Sequence, residues 1–172
     1  IAIIRPEDDD NGRKLGEMLS TSDLVIDAIL GIGMSRPIDP NSGIGLTLMA
    51  LNAARTGFNP PKLLAVDVPS GVNADSGYAD ELTVTPDATI TFGFPKVGMY
   101  QAPASAIVGR VEVIDIGIPA AASAKVGLEL MAARWARGLA PHRPESANKG
   151  TFGKVLVVAG SSAFRGAARL SA

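Results

Sequence analysis

With 172 residues, the chain has room for one ordinary domain, or for part of one domain and a piece of another. Its 16 Lys and Arg nearly balance its 17 Asp and Glu, and no basic stripe marks a nucleic-acid footprint. The absence of cysteine excludes disulfides, thiolate zinc sites and thiol catalysis, and fits a cytoplasmic location.

The opening "IAIIRPEDDD" is too short an apolar run to span a membrane and lacks the basic start and cleavage pattern of a signal peptide. Residues 1–4 read as a strand, and "RKLGEML" follows as a helix with Leu15, Met18 and Leu19 on one face. "DLVIDAIL" (23–30) is a buried strand running into the glycine-rich turn "GIGMSRP". A helix with the stripe Ile44, Leu48 and Leu51 comes next, and "KLLAVD" (62–67) is the third strand. This alternation predicts an α/β fold with a mostly parallel sheet in a three-layer, Rossmann-like sandwich.

Beyond "PSG" (69–71), "ATITFGF" (88–94) alternates as a strand with two unlike faces, and "GRVEVIDIGIP" is a further strand. The Ala-rich "PAAASAK" and the stripe Leu128, Met131 and Trp135 predict a helix leaving the sheet. The polar "APHRPESANKG" is the linker to a second domain. Its His142 reads as an exposed loop residue. "KVLVVAG" (154–160) is expected to be a buried strand. Lys149, Gly150 and Gly153 precede it, and Gly160, Ser161 and Gly166 follow with the spacing of close helix–sheet packing near a nucleotide or phosphate. The expected boundaries are 1–120, 121–145 for the helical linker, and 146–172. Both ends read as cut, inside a strand at the start and at a helix opening at the end.

Four places carry chemistry. Asp67 sits at the tip of an apolar strand, where ligand crevices of parallel sheets lie; it serves a ligand or caps the turn through its own amides. Pro69 and Gly71 bend the chain directly after it. Asp27, inside "LVIDAIL", is a carboxylate that needs a hydrogen bond, an ion pair or a cation. With Ser70 it supplies hard oxygen atoms suited to an alkali or alkaline-earth ion, or a structural hydrogen bond to a neighbouring loop. Gly31 and Gly33 allow a ligand close to a backbone whose free N–H groups suit an anion, with Arg36 as a charged contact; Arg36 stands where a dinucleotide fingerprint needs its third glycine. A merely tight turn is the alternative. Lys96, after the 88–94 strand, is a partner for a carboxylate or phosphate, or an exposed turn lysine.

In this order, "DLVIDAILGIGMSRPI", "AVDVPSGVNADSG", "TITFGFPKVG" and "VEVIDIGIP" resemble the YjeF N-terminal domain, the NAD(P)HX epimerase family. "NKGTFGKVLVVAGSSAFRGAARL" resembles the first strand and helix of the ribokinase-like NAD(P)HX dehydratase. The pairing is similar to bifunctional nicotinamide-nucleotide repair enzymes.

The resemblance implies epimerisation of R and S hydrated NADH or NADPH, with potassium held by Asp27 and Ser70. Gly31, Ile32, Gly33, Met34, Ser35, Arg36 and Pro37 would hold the substrate's phosphates, with Asp67 on the hydrated nicotinamide as the acid/base group. Lys96 would support it at the active site. It further implies ADP or ATP for a dehydratase whose site lies beyond residue 172. The partner would be the small molecule NAD(P)HX, with neither nucleic acid nor membrane and with a homo-oligomer possible. The family's Asn-Asn-Gly-Gly-Asp loop does not occur in these residues, and Asn148 stands where the dehydratases commonly have histidine. Some members are interaction scaffolds, which is the alternative function.

Overall fold

The computed structural model describes residues 5, 9, 12–142, 144–148, 150–163 and 165–171. The strand expected at 1–4 and Lys149 lie outside the described residues. Two compact units divide at Ala124 and Lys125.

The first unit follows the predicted alternation. Helix α1 (Arg13–Thr21) leads to β1 (Leu24–Asp27), α2 (Gly43–Arg55), β2 (Lys62–Val66), β3 (Ala88–Phe92) and β4 (Arg110–Ile114). The four strands pair in the order β1-β2-β3-β4, and every pairing is parallel. All four C-terminal tips therefore share one edge. Between β3 and β4 the chain makes two short 3-10 turns, Val97–Tyr100 and Ala104–Ala106.

Helix α2 begins where Ser42 caps it, its Oγ accepting from Gly45 N at 3.0 Å. Its buried Leu48 and Leu51 pack with Leu19 of α1, Leu63 of β2 and Val84. Burial of each such leucine contributes about 1.5–3 kcal/mol. A second cluster of Val68, Val72, Ala74, Met99, Ala104 and Val108 packs against Val111 of β4. By register, Val25, Leu63 and Val111 share one face of the sheet, so both clusters cover that side. On the other face Leu24, Ile26, Phe92 and Ile114 remain exposed.

The alternation of β3 resolves in an unexpected sense. Thr89 and Thr91 are the fully buried members, while Phe92 is exposed. Burial is tolerable because both hydroxyls are bonded, Thr89 donating to Val108 O at 2.6 Å.

Asp87, just before β3, ties three elements together. Its Oδ2 accepts from Leu63 N at 2.8 Å and from Arg55 Nη1 at 3.0 Å, beside Lys62. The Leu63 N–H holds the carboxyl below its ordinary 3.8; burial opposes this, and Arg55 and Lys62 reinforce it. The stabilisation is therefore complete above the ordinary value and lost as pH falls through the lower folded one. Asp87→Ala should cost about 1–3 kcal/mol near neutral pH by stranding Leu63 N–H. Thermal melts should show the gap between parent and variant closing in acid, whereas a pH-independent gap would assign the effect to packing.

The second unit, Lys125–Ala172, departs from expectation. Helix α3 (Ala120–Ser123), which ends the first unit, is a single turn, and α4 (Ala133–Leu139) starts beyond Met131. Leu128 and Met131 thus lie outside any helix, exposed, with no surface to bury a stripe. "KVLVVAG" is not a strand: Val155, Leu156 and Val158 are 90%, 86% and 88% exposed. A strand exists through its ladder, and among the described residues none pairs with 154–160. Helix α5 (Gly166–Ser171) follows, but a Cβ at Gly166 would meet nothing within 4 Å, so close helix–sheet packing is absent there. This segment does not show the start of a ribokinase-like domain. No helix among the described residues is long and apolar enough to cross a membrane.

Candidate active site

The site lies along the shared C-terminal edge of the sheet. β1 ends at Asp27, whose side chain turns into the protein and is 2% exposed. Its Oδ2 accepts from Ser70 N at 2.8 Å and its Oδ1 from Ser70 Oγ at 2.5 Å. Ser70 Oγ in turn accepts from Leu30 N at 2.9 Å. The structure thus joins Asp27 to Ser70 and ties both to the loop after β1. Neither Lys nor Arg pairs with Asp27 among the described residues. The buried carboxylate is answered by hydrogen bonds from Ser70 and Ile29, the structural alternative, and its hard oxygen atoms are also of the kind an alkali cation takes.

Ser70 reaches that position because the chain reverses after β2. Gly71 has φ +99°, and a Cβ there would collide with Thr83 Oγ1. Only glycine fits this turn.

Asp67 follows β2 directly and is itself left-handed, with φ 65°. Aspartate is among the non-glycine residues that tolerate this region best. Its carboxylate does not cap its own turn. Instead, Oδ1 accepts from Phe92 N at 3.1 Å and Thr91 Oγ1 at 3.2 Å, and pairs with Lys96 Nζ. Lys96 also donates to Thr91 Oγ1 at 2.9 Å, Phe92 O at 3.1 Å and Phe94 O at 3.2 Å. It is not an exposed turn lysine, being 21% exposed at its side chain. Burial pushes the Asp67 carboxyl up; the Lys96 hydrogen bond, the Phe92 N–H, the Lys96 charge and the Thr91 hydroxyl outweigh it, so the net direction is down from 3.8. At neutral pH Asp67 is therefore a carboxylate, paired with Lys96.

The loop after β1 lines a cavity of about 810 Å³. Gly31, Gly33, Met34, Ser35, Arg36 and Pro37 all contribute, whereas Ile32 is 62% exposed and outside the lining. Ser42 and Ile44, at the start of α2, line the same space, so a helix N-terminus adjoins it. The helix N-terminus and Arg36 favour an anion, while Asp39, which lines the same cavity, opposes one.

Two residues that the sequence did not single out hold this loop. Asn73 Nδ2 donates to Met34 O at 2.6 Å, and the buried Asp80 accepts from Ile38 N at 2.9 Å. Thr91, which bonds Asp67 and Lys96 rather than this loop, is a third residue that the sequence did not single out. Its signal was its place on the strand facing Asp67, visible only once the register Val66↔Ile90 is known.

A parallel α/β domain whose four strand tips share one edge, with Asp67 and Lys96 paired there, is Rossmann-like in its fold. Residues 3–98 match the family described as YjeF-related protein N-terminus, and the chain belongs to that family. It is 37% identical over 153 residues to the bifunctional NAD(P)H-hydrate repair enzyme Nnr of Moorella thermoacetica, covering 88% of this chain and 28% of that protein. To the NAD(P)H-hydrate epimerase of Clavibacter michiganensis it is 38% identical over 105 residues, 60% of this chain and 46% of that one. A second epimerase, from Limosilactobacillus fermentum, matches at 39% over 98 residues, 57% and 44% of the two chains. The chain spans less than a third of the Moorella bifunctional relative and about half of these epimerases.

Proposed function

We propose that this domain epimerises hydrated NADH and NADPH, with Asp67 and Lys96 as the proton-transferring pair. The observation that carries the reading is the buttressed Asp67 carboxylate against Lys96 at a strand tip. The names of the relatives point to the same substrate. Inverting a hemiaminal carbon requires its hydroxyl to leave as water, taking one proton while the ring nitrogen's lone pair forms the C=N bond. Water then adds to the opposite face and gives one proton up. Asp67, held ionised, accepts that proton, and the Lys96 ammonium is the charged donor beside it. The loop 31–37 and the start of α2 take the phosphates.

Asp27 and Ser70 are the residues that would hold potassium; when bound, the ion supplies fixed positive charge beside the loop. Reading 146–172 as leading into an ADP- or ATP-dependent dehydratase rests on the motif resemblance of that segment alone; the relatives' names add only that they are bifunctional. The buttressed Asp67 favours an enzyme over an interaction scaffold.

The test follows one purified epimer of hydrated NADH by chromatography with the natural full-length protein. Growth of the other epimer well above the spontaneous rate is the expected result. Binding of hydrated NADH at the spontaneous rate would instead mark a scaffold.

A further inference from the structure

Among the described bonds, every donor to the Asp67 carboxylate converges on one oxygen, Oδ1. Thr91 stands at the centre of this arrangement. It is 0% exposed and its Oγ1 accepts from Lys96 Nζ at 2.9 Å. With one of its two lone pairs so occupied, the hydroxyl proton points at Asp67 Oδ1, 3.2 Å away, or at Phe94 O, 3.4 Å away.

We propose that Thr91 is a positioning residue that locks Lys96 and Asp67 together through Oδ1 and leaves Oδ2 as the oxygen that exchanges protons with substrate. The geometry supports this division. An anchored Oδ1 fixes the carboxylate plane, because β3 supplies both Thr91 and the Phe92 N–H from rigid strand backbone. Lys96 is the charged side chain paired with Asp67 among the described residues. The hydroxyl is thus a hinge pin between two groups that otherwise meet through a long, rotatable lysine.

The inference rests on the epimerase reading, and two readouts keep their failures apart. Thr91→Val, nearly isosteric, removes the hydroxyl; Thr91→Ser keeps it and drops the methyl group. In the natural full-length protein, Thr91→Val should lower kcat roughly 10- to 100-fold, the scale of a misplaced reacting group, with KM within about twofold. The acid limb of its pH profile should move up, because a donor that favours the Asp67 carboxylate is gone. Thr91→Ser should restore both. Should valine disturb folding, Thr91→Ala against Thr91→Ser carries the same comparison. Parental kcat and pH profile in Thr91→Val, or a serine variant as impaired as valine, would overturn the proposal. The Asp67 carboxyl titration followed by carbon NMR requires no turnover: an unmoved titration in Thr91→Val overturns it even if the protein is no epimerase.

Discussion

Asp67→Asn is expected to reduce epimerase turnover by about 100-fold or more while the protein folds and binds hydrated NADH within a few-fold of the parent. Asparagine tolerates the left-handed backbone at φ 65° better than most residues. Its amide oxygen accepts the bonds that Phe92 N–H, Thr91 and Lys96 now give to Oδ1. What disappears is basicity at the other oxygen. Because the Asp67 pKa is depressed in the folded state, its contribution to stability is full above the ordinary 3.8 and fades as pH falls through the folded value. Any melting difference between parent and variant should therefore narrow in acid. Near-parental turnover with a normal melt would remove proton transfer from this residue.

Asp27→Ala should have the largest effect on stability. It strands the buried Ser70 N–H and hydroxyl, which now lie 2.8 and 2.5 Å from the carboxylate, and loses the 3.3 Å bond from Ile29 N. About 2–4 kcal/mol should be lost in denaturant unfolding. Asp27→Asn, which keeps an acceptor, separates the ion from the fold. The parent should epimerise faster in potassium than in tetramethylammonium, and the Asn variant should show little difference. Equal parental rates in both salts would take the ion out of the account, leaving Asp27 as an anchor for Ser70.

The sheet was legible because short, continuous apolar runs such as "KLLAVD" have one economical fate in a chain that alternates with amphipathic helices. "KVLVVAG" has the same composition and a different outcome, because apolarity does not create a ladder partner. At the site, Asp27, Asp67 and Lys96 were conspicuous as charges beside apolar strands. Thr91, Asn73 and Asp80 were not, since a polar residue on a strand or in a turn looks alike whether it faces solvent or a neighbouring loop. Their roles emerge only from contacts spanning 24, 39 and 42 residues.

Those spans bear on how the domain folds. The bonds joining Asp27 to Ser70 and Lys96 to Asp67 close loops of 43 and 29 residues, and none can form before parallel strands have docked in register. Loop closure of this kind is slow relative to helix formation. Helices α1 and α2 can gain structure early while the chemistry is still absent. Recovery of activity after denaturant dilution is thus a clock for completion of the sheet, running behind the return of helical circular dichroism.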